Sequence, residues 1–336
     1  MTAVTGADAA RPVPEGLERF PFPLTEDAYR YSTNVEPARK PVRTAAGGWG
    51  TRIIDIDGHY DGELRERAAI LQRDPSRMAL APHMGPAAWD ALMYCLECLA
   101  REYPDRMGLV REGRRFAWSN RLQDLRVDGV IGDDDSVPGG PLTFLAGQIQ
   151  EDIALLDKRE GALWLDGGVV TFASNWSMAF DVGMRFLEIH GPVPRVHEER
   201  VITRAHDFLM RMQPGEAYRR TNWSMTVDRR LDVSTETYPE WGSSRTEVLE
   251  DPRLPQRLHL RVEVQHLIAL PHTGAVLFLI RTYLEPFERL AQIPQWRARL
   301  HAVLSELPQD MADYKGLARY RPRLVQWLAG EDTVRR

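Results

Sequence analysis

The stretch RLHLRVEVQHLI, residues 257 to 268, limits the possible folds more than any other part of this chain. Apolar side chains stand at Leu258, Leu260, Val262, Val264 and Ile268, and polar ones at Arg257, His259, Arg261, Glu263 and Gln265. Successive strand residues point to opposite faces, so this sustained period of two predicts a long strand with one apolar and one polar face. LPHTG then turns the chain, and AVLFLIRTYLEPF predicts a returning strand that is more deeply buried. Helical patterns surround this pair, and the expected fold is a single α+β domain with a mainly antiparallel sheet.

Residues 1–45, rich in Pro, Ala and Thr with FPFP at 20–23, predict an extended N-terminal arm, ordered only where it packs on the body. The body is expected to run from 46 to 330 as one domain, since no repeat and no linker interrupts it. IIDIDG predicts a short strand leading into a helix. DALMYCLECLAREYP predicts a helix striped by Trp89, Leu92, Met93, Leu96 and Leu99 that stops before Pro104. DDDSVPGGP reads as a turn-rich loop, because its aspartates lack the alternating ligands and terminal Glu of a calcium loop. PLTFLAGQIQEDIALL predicts a helix on Leu145, Ile149, Ile153 and Leu156, and ALWLDGGVVTFAS a hairpin turning at Asp166, Gly167 and Gly168. A further helix is expected near 198–212, YRRTNWSM as strand or loop, and a helical C-terminal region in which Pro294 opens QWRARLHAVLSEL.

Composition matters mainly for what it excludes. At 336 residues, with 43% apolar and 27% charged side chains, the chain has the profile of a soluble globular protein with ample core. No apolar run is long enough for a bilayer and the first residues lack a secretory pattern, so a cytoplasmic protein with no membrane partner is expected. A net charge of −5 argues against nucleic acid. Lys40, Lys158 and Lys315 are the only lysines, a bias that coding preference explains. Cys95 and Cys98 form a CxxC in mid-helix, where the terminal effect that activates such thiols is absent, so packing is their expected role. Two thiols cannot supply the four that an iron–sulfur cluster usually takes. His197 and Glu198 lack the second histidine of a metalloprotease motif.

NWSMAFDVGMRFLEIHGPVP, residues 175–194, carries a narrow polar stripe of Ser177, Asp181, Arg185 and Glu188 among apolar residues. This predicts a rigid helix buried on most sides, with Gly183 leaving a notch for close approach. His190 ends it, and Pro192 and Pro194 stiffen the chain beyond. A metal-binding imidazole must be neutral and held in one orientation, which such framing favours. The pattern alone leaves open an iron or other metal ligand, a catalytic histidine, and a core histidine hydrogen-bonded to a carbonyl.

EIHGPVP, QEDIALL at 150–156, TNW at 221–223, RVEVQ at 261–265, TGAVLFLIRTY at 273–283 and DYKGL at 313–317 extend this reading. Together the chain resembles the haem-dependent oxidative N-demethylase alpha-subunit family (dimethylamine monooxygenase-like) over roughly residues 50–318. The resemblance implies a PAS-like antiparallel sheet with flanking helices that binds haem b. It implies oxygen-dependent demethylation of a small secondary amine to a primary amine and formaldehyde. It identifies His190 as the axial iron ligand. Related activities are N-oxygenation in a biosynthetic pathway, or gas sensing by a PAS-type haem domain without catalysis.

Around that ligand, Arg261, Arg281, Asn222, Trp223 and Lys315 are expected to hold the cofactor, the arginines through its propionates. Glu263 and Tyr283 are expected to hold a cationic amine and pass protons. If the LPHTG turn leaves an odd number of residues unpaired, Arg281 and Tyr283 come opposite the Arg261–Glu263–Gln265 face; the alternative is a ladder of surface ion pairs. Where the family shows RxERQT, this chain has Val264 for Arg and His266 for Thr, which makes His266 a candidate distal acid or second ligand. There is no Gly-rich dinucleotide fingerprint, so electrons are expected from a separate flavin or ferredoxin-type reductase, with dioxygen as oxidant and peroxide as a substitute. Reductase subunits and an oligomer are compatible with this arrangement.

Overall fold

The structure is a computed structural model and describes residues 13–330. Seven strands form one antiparallel sheet: β1 (Glu36–Pro37), β2 (Met78–Leu80), β3 (Asp152–Arg159), β4 (Ala162–Val169), β5 (Ala217–Val227), β6 (Leu258–Ala269) and β7 (Val276–Pro286). Their order is β1-β5-β6-β7-β3-β4-β2, so the long pair anticipated from the sequence lies near the middle. A separate three-stranded sheet, Met107–Glu112, Arg115–Asn120 and Leu125–Val130, stands beside it. No described helix is long and apolar enough to cross a membrane.

One face of the large sheet is closed by helices. Leu92, Leu96 and Leu99 of α2 (Gly85–Glu102, preceded by α1, Tyr60–Arg73) pack with Ile153, Leu155, Ile268, Leu277 and Leu279. Farther along the same strands, Leu258, Leu260 and Val262 meet Trp296, Leu300 and Leu304 of the C-terminal helix Pro294–Glu306. The N-terminal arm joins this second cluster: Phe22 stacks on Trp296 with ring centroids 4.5 Å apart, and β1 pairs with β5. Burying one such phenylalanine contributes about 2–3 kcal/mol, enough to order a segment with little regular structure of its own. Leu142, Phe144 and Leu145 of α3 (Gly140–Ala146) join the α2 cluster, and against the other face lie three shorter helices: α4 (Met178–Asp181), α5 (Phe186–Ile189) and α6 (Val201–Arg211).

Several local expectations are corrected, each by a tertiary partner. IIDIDG is not a strand, because its N–H groups find side chains instead of a neighbouring backbone. Ile53 and Ile54 donate to Glu102 at 3.2 Å, Asp55 to Glu151 at 3.0 Å and Asp57 to Gln150 at 3.1 Å. The helix predicted through PLTFLAGQIQEDIALL stops at Ala146, and residues from Asp152 onward become β3, with Ile153 and Leu155 on one face. The hairpin turns at Glu160 and Gly161, not at Asp166–Gly168, which run on as β4. Gly168 is needed for close approach: a Cβ there would lie 2.3 Å from the Ile153 carbonyl oxygen.

The rod predicted over 176–189 is two single turns, α4 and α5, with an extended link between them. Gly183 takes a left-handed φ of 84°, a conformation glycine adopts without strain. Its N–H donates to Leu165 O at 2.7 Å, and Met184 O accepts from Leu165 N at 3.0 Å, so the link is hydrogen-bonded to β4. Phe180, expected inside, is 74% exposed.

Candidate functional site

His190 follows α5 directly, and local hydrogen bonds fix where it points. The Glu188 carboxylate accepts from Arg185 N at 2.8 Å, closing the start of the turn. Gly191 N donates to Glu188 O at 3.0 Å and Val193 N to His190 O at 3.1 Å, which fold the Gly-Pro-Val-Pro segment back on itself. Tyr31, from the arm, donates its hydroxyl to Pro194 O at 2.7 Å and ties that segment down.

The imidazole lies against the Phe186 ring at a centroid distance of 4.3 Å, with Nδ1 2.8 Å from Phe186 O. A carbonyl only accepts, so Nδ1 carries the proton and the lone pair resides on Nε2. Burial pulls this imidazole down to about 4, against the Phe186 carbonyl and helped by the Arg220 guanidinium. The ring is therefore neutral at physiological pH, oriented, and has one free nitrogen: the state a metal ligand requires.

The sheet surface on this side comes from β5, β6 and β7. Asn222 pairs with Glu263 and Arg220 with Gln265 across β5 and β6, so these four share a face. Phe186 and Ile189 pack in the same cluster as Leu156, Leu267 and Phe278. Asn222 Nδ2 and Gln265 Nε2 both donate to Glu263 Oε2, at 3.3 and 2.9 Å, while Arg261 Nε donates to Glu263 Oε1 at 3.1 Å. Gln265 Oε1 is buried and has no partner among the described residues. Lys315, at the end of the helix Gln309–Tyr314, reaches the outer edge of β5. Its Nζ donates to Trp223 O at 2.6 Å, lies 3.4 Å from Asn222 Oδ1 and stands 4.6 Å over the Trp223 ring.

Only some of the residues singled out in the sequence are brought together. Six residues, Leu270 to Ala275, separate the last β6–β7 pair, an even number. Tyr283 is consequently opposite Val262 and Arg281 opposite Val264, so both lie on the helix-covered face and not on the Arg261–Glu263–Gln265 face. His266 lies on that helix-covered face too, opposite Leu279. His190, Asn222, Glu263 and Lys315 remain on one side with Arg261; Arg281, Tyr283 and His266 are on the other. Trp223 alternates to the far side but borders the first group through Lys315.

The two arginines expected at propionates are engaged within the protein. Arg261 donates to Leu231 O at 2.7 Å, to Thr282 Oγ1 at 3.1 Å and to Phe172 O. Arg281 donates to Glu63 at 2.8 Å, to Asp57 at 2.6 Å and to Thr282 O at 2.8 Å. Although burial opposes it, Glu63 and Asp57 hold the Arg281 guanidinium firmly charged. Tyr283 donates to Asp55 at 2.8 Å, and burial pushes its phenol far up. Beside them Glu151 is fully buried, its Oε2 has no partner among the described residues, and burial pushes it up to about 7 against the pull of Arg281.

His266 is buried with no hydrogen-bond partner at either ring nitrogen among the described residues. The Ala38 backbone is near it but without hydrogen-bond geometry, and burial, with Arg219 adding to it, pulls the imidazole down to about 3. A group of His83, Asp157 and Asp166 has the spacing of a cation site, but the Arg159 guanidinium already ion-pairs with both carboxylates.

Arg220 was not singled out in the sequence. Its signal was present in the alternation of YRRTNWSM, which puts it on the same strand face as Asn222. Residues 47–325 match a family model described as haem-dependent oxidative N-demethylase, alpha subunit-like.

Proposed function

The chain belongs to the haem-dependent oxidative N-demethylase, alpha subunit-like family, and from that premise we propose that it is a haem oxidoreductase acting on a small amine. The specific reaction is oxidative N-demethylation of a secondary amine to a primary amine and formaldehyde. The observation that carries this reading is His190: a neutral imidazole whose Nδ1 proton is held by the Phe186 carbonyl and whose Nε2 is free. That donor would hold the iron of haem b, and the apolar side chains of Phe186, Ile189, Leu267 and Phe278 would pack against its macrocycle.

Bound haem supplies activation of dioxygen, with electrons delivered by a separate flavin or ferredoxin-type reductase. The rest is the work of this chain. The Phe186 carbonyl keeps Nε2 the basic nitrogen and fixes the ring plane. Glu263 and the unpartnered Gln265 Oε1 present two acceptors side by side, suited to the N–H groups of a cationic amine. Asn222, Gln265 and Arg261 hold the Glu263 carboxylate in place for that contact. The antiparallel sheet, with helices closing one face and the His190 turn on the other, supports a PAS-like domain.

The test is spectroscopic first. Full-length chain supplied with haem is expected to give a Soret band that His190→Ala loses or broadens. With a reductase and dioxygen, wild type is expected to release formaldehyde from dimethylamine. A colourless wild type after haem supplementation refutes the reading, and gas binding without turnover of any amine replaces catalysis with sensing.

A further inference from the structure

Cations buried on the large sheet are, as a rule, paired with carboxylates. Arg219 meets Glu36, Arg261 meets Glu263, and Arg281 meets Glu63 and Asp57. Arg220 and Lys315 break the rule: neither has a carboxylate within ion-pair distance among the described residues. Arg220 donates only its Nε, to Thr33 O at 3.2 Å, and leaves both terminal nitrogens without a protein acceptor. Lys315 uses two of its three N–H donors on Trp223 O and Asn222 Oδ1. Both lose basicity, Arg220 through burial, and Lys315 down to about 8 through burial and the nearby Arg220 charge. The nearest carboxylate, Glu263, already accepts from Arg261, Asn222 and Gln265.

The two cations also share a location. Arg220 is two residues from Asn222 on β5, about 7 Å along the same face, and Asn222 is the residue Lys315 touches. Arg220 is tied to Thr33 O, and Tyr31, two residues before Thr33, to Pro194 O, so the same arm segment joins Arg220 to the chain that follows His190. Half-buried positive charges with open donors beside a free imidazole nitrogen call for an anion with two acceptor oxygens, because leaving them unpaired carries a desolvation cost. We infer that Arg220 and Lys315 bind the carboxylate of a ligand seated against His190, supplied either by a haem propionate or by the amine substrate itself. In the second case Glu263 and Gln265 receive the amine end, and the substrate is an amino acid, not a simple amine. The propionate source rests on the haem reading above; the substrate source requires only the two cations and the Glu263–Gln265 acceptors.

Two arms of one experiment separate the sources in full-length wild type, Arg220→Leu, Lys315→Met and Lys315→Arg. The first arm titrates haem-free protein with protoporphyrin IX and with its dimethyl ester, following porphyrin fluorescence, so that iron ligation plays no part. A propionate clamp gives wild type a preference for the free acid of about 10- to 100-fold, lost in Arg220→Leu and Lys315→Met and retained in Lys315→Arg. The second arm titrates sarcosine and 4-(methylamino)butyrate against their methyl esters, read by calorimetry on the haem-free chain and by the Soret shift on the loaded one. A substrate clamp gives the same preference and the same pattern of loss there.

Equal binding of acids and esters by wild type in both arms overturns the inference, as does any preference that survives in both Arg220→Leu and Lys315→Met. Haem uptake by wild type is recorded separately, so a chain that takes up haem but ignores carboxylates refutes the clamp alone. Arg220 makes one hydrogen bond to the protein, and circular dichroism of each variant verifies that the fold is kept.

Discussion

The two faces of β6 carry similar chemistry and put it to opposite ends. On the helix-covered face, Arg281, Glu63, Asp57, Gln150, Tyr283 and Asp55 form a network in which the guanidinium has two carboxylates and the phenol a third. On the other face, Glu263 is well satisfied, yet around it Gln265 Oε1, the Arg220 terminal nitrogens and His190 Nε2 have no partner among the described residues. A buried group without a partner costs roughly 1–3 kcal/mol, and folded proteins keep few of them. Unpartnered atoms occur on the helix-covered face as well, at Glu151, Glu285 and His266, so the cations separate the two faces: Arg281 is held by two carboxylates, and Arg220 by none among the described residues. Charge alone distinguishes neither; valence does.

The sharpest test of that contrast removes the centre of the closed network. Arg281→Met leaves Asp57 without its cation and Glu63 with only the half-exposed Arg229, and a loss of about 3–5 kcal/mol is expected in chemical unfolding. Haem uptake by the molecules that remain folded should be unchanged. His190→Ala should behave in the opposite way, lowering haem affinity at least about 100-fold, near 3 kcal/mol, while apo-protein stability moves by less than about 1 kcal/mol. If His190→Ala unfolds the apo-protein, or Arg281→Met abolishes the Soret band of folded material, the division of labour between the faces is wrong.

A smaller effect concerns Glu151, a carboxylate of the helix-covered face left partly unsatisfied. Its folded value of about 7 is above the ordinary 4.5, so the native state binds this proton more tightly than the unfolded chain. The contribution is complete below pH 4.5 and is lost as pH rises through 7. Glu151→Gln has no such proton. Its stability relative to wild type should therefore improve by about 2 kcal/mol between pH 5 and pH 7, measured by urea unfolding at each pH. A flat difference would mean that water or another partner satisfies Glu151 and that the network is closed there too.

How much of this was legible in the sequence depends on the range of the interaction. The alternation in RLHLRVEVQHLI fixes which residues share a face within one strand, and that reading holds for Arg261, Glu263 and Gln265. It cannot fix the parity between strands, which rests on how many residues the turn leaves unpaired. A pairing that left five residues unpaired in the turn, not six, would have put Arg281 opposite Glu263 or Gln265, on the His190 side. Arg219 and Arg220 make the same point within β5: neighbours in sequence, they part to opposite faces, the first to Glu36 and three carbonyls, the second to the Thr33 carbonyl on the Glu263 side. The 176–189 segment has a helical stripe, yet Gly183 and its hydrogen bonds to β4 divide it, because strand pairing is a tertiary contact that no local period records. The stop at His190 was legible because its framing by Pro192 and Pro194 is local.

His266 gives the finest discrimination. A lone histidine in the apolar stripe of its strand invites a catalytic reading, but it is opposite Leu279 on the closed face, with Arg219 on its own side and His190 beyond the sheet. Two nitrogens without partners make it a net liability, so His266→Met, similar in volume and apolar, should be neutral or stabilising by about 1 kcal/mol at pH 7. Acid widens the gap. The folded imidazole titrates near 3 and the unfolded one near 6.5, so this residue's contribution is present above pH 6.5 and drains away as pH falls toward 3. Wild type should lose stability relative to the variant by up to about 1.4 kcal/mol per pH unit in that window. The Soret maximum and the amine-induced shift should be those of wild type. A changed haem spectrum in His266→Met would carry the influence of the closed face through β6 to the iron, and the separation between scaffold and site would fail at that residue.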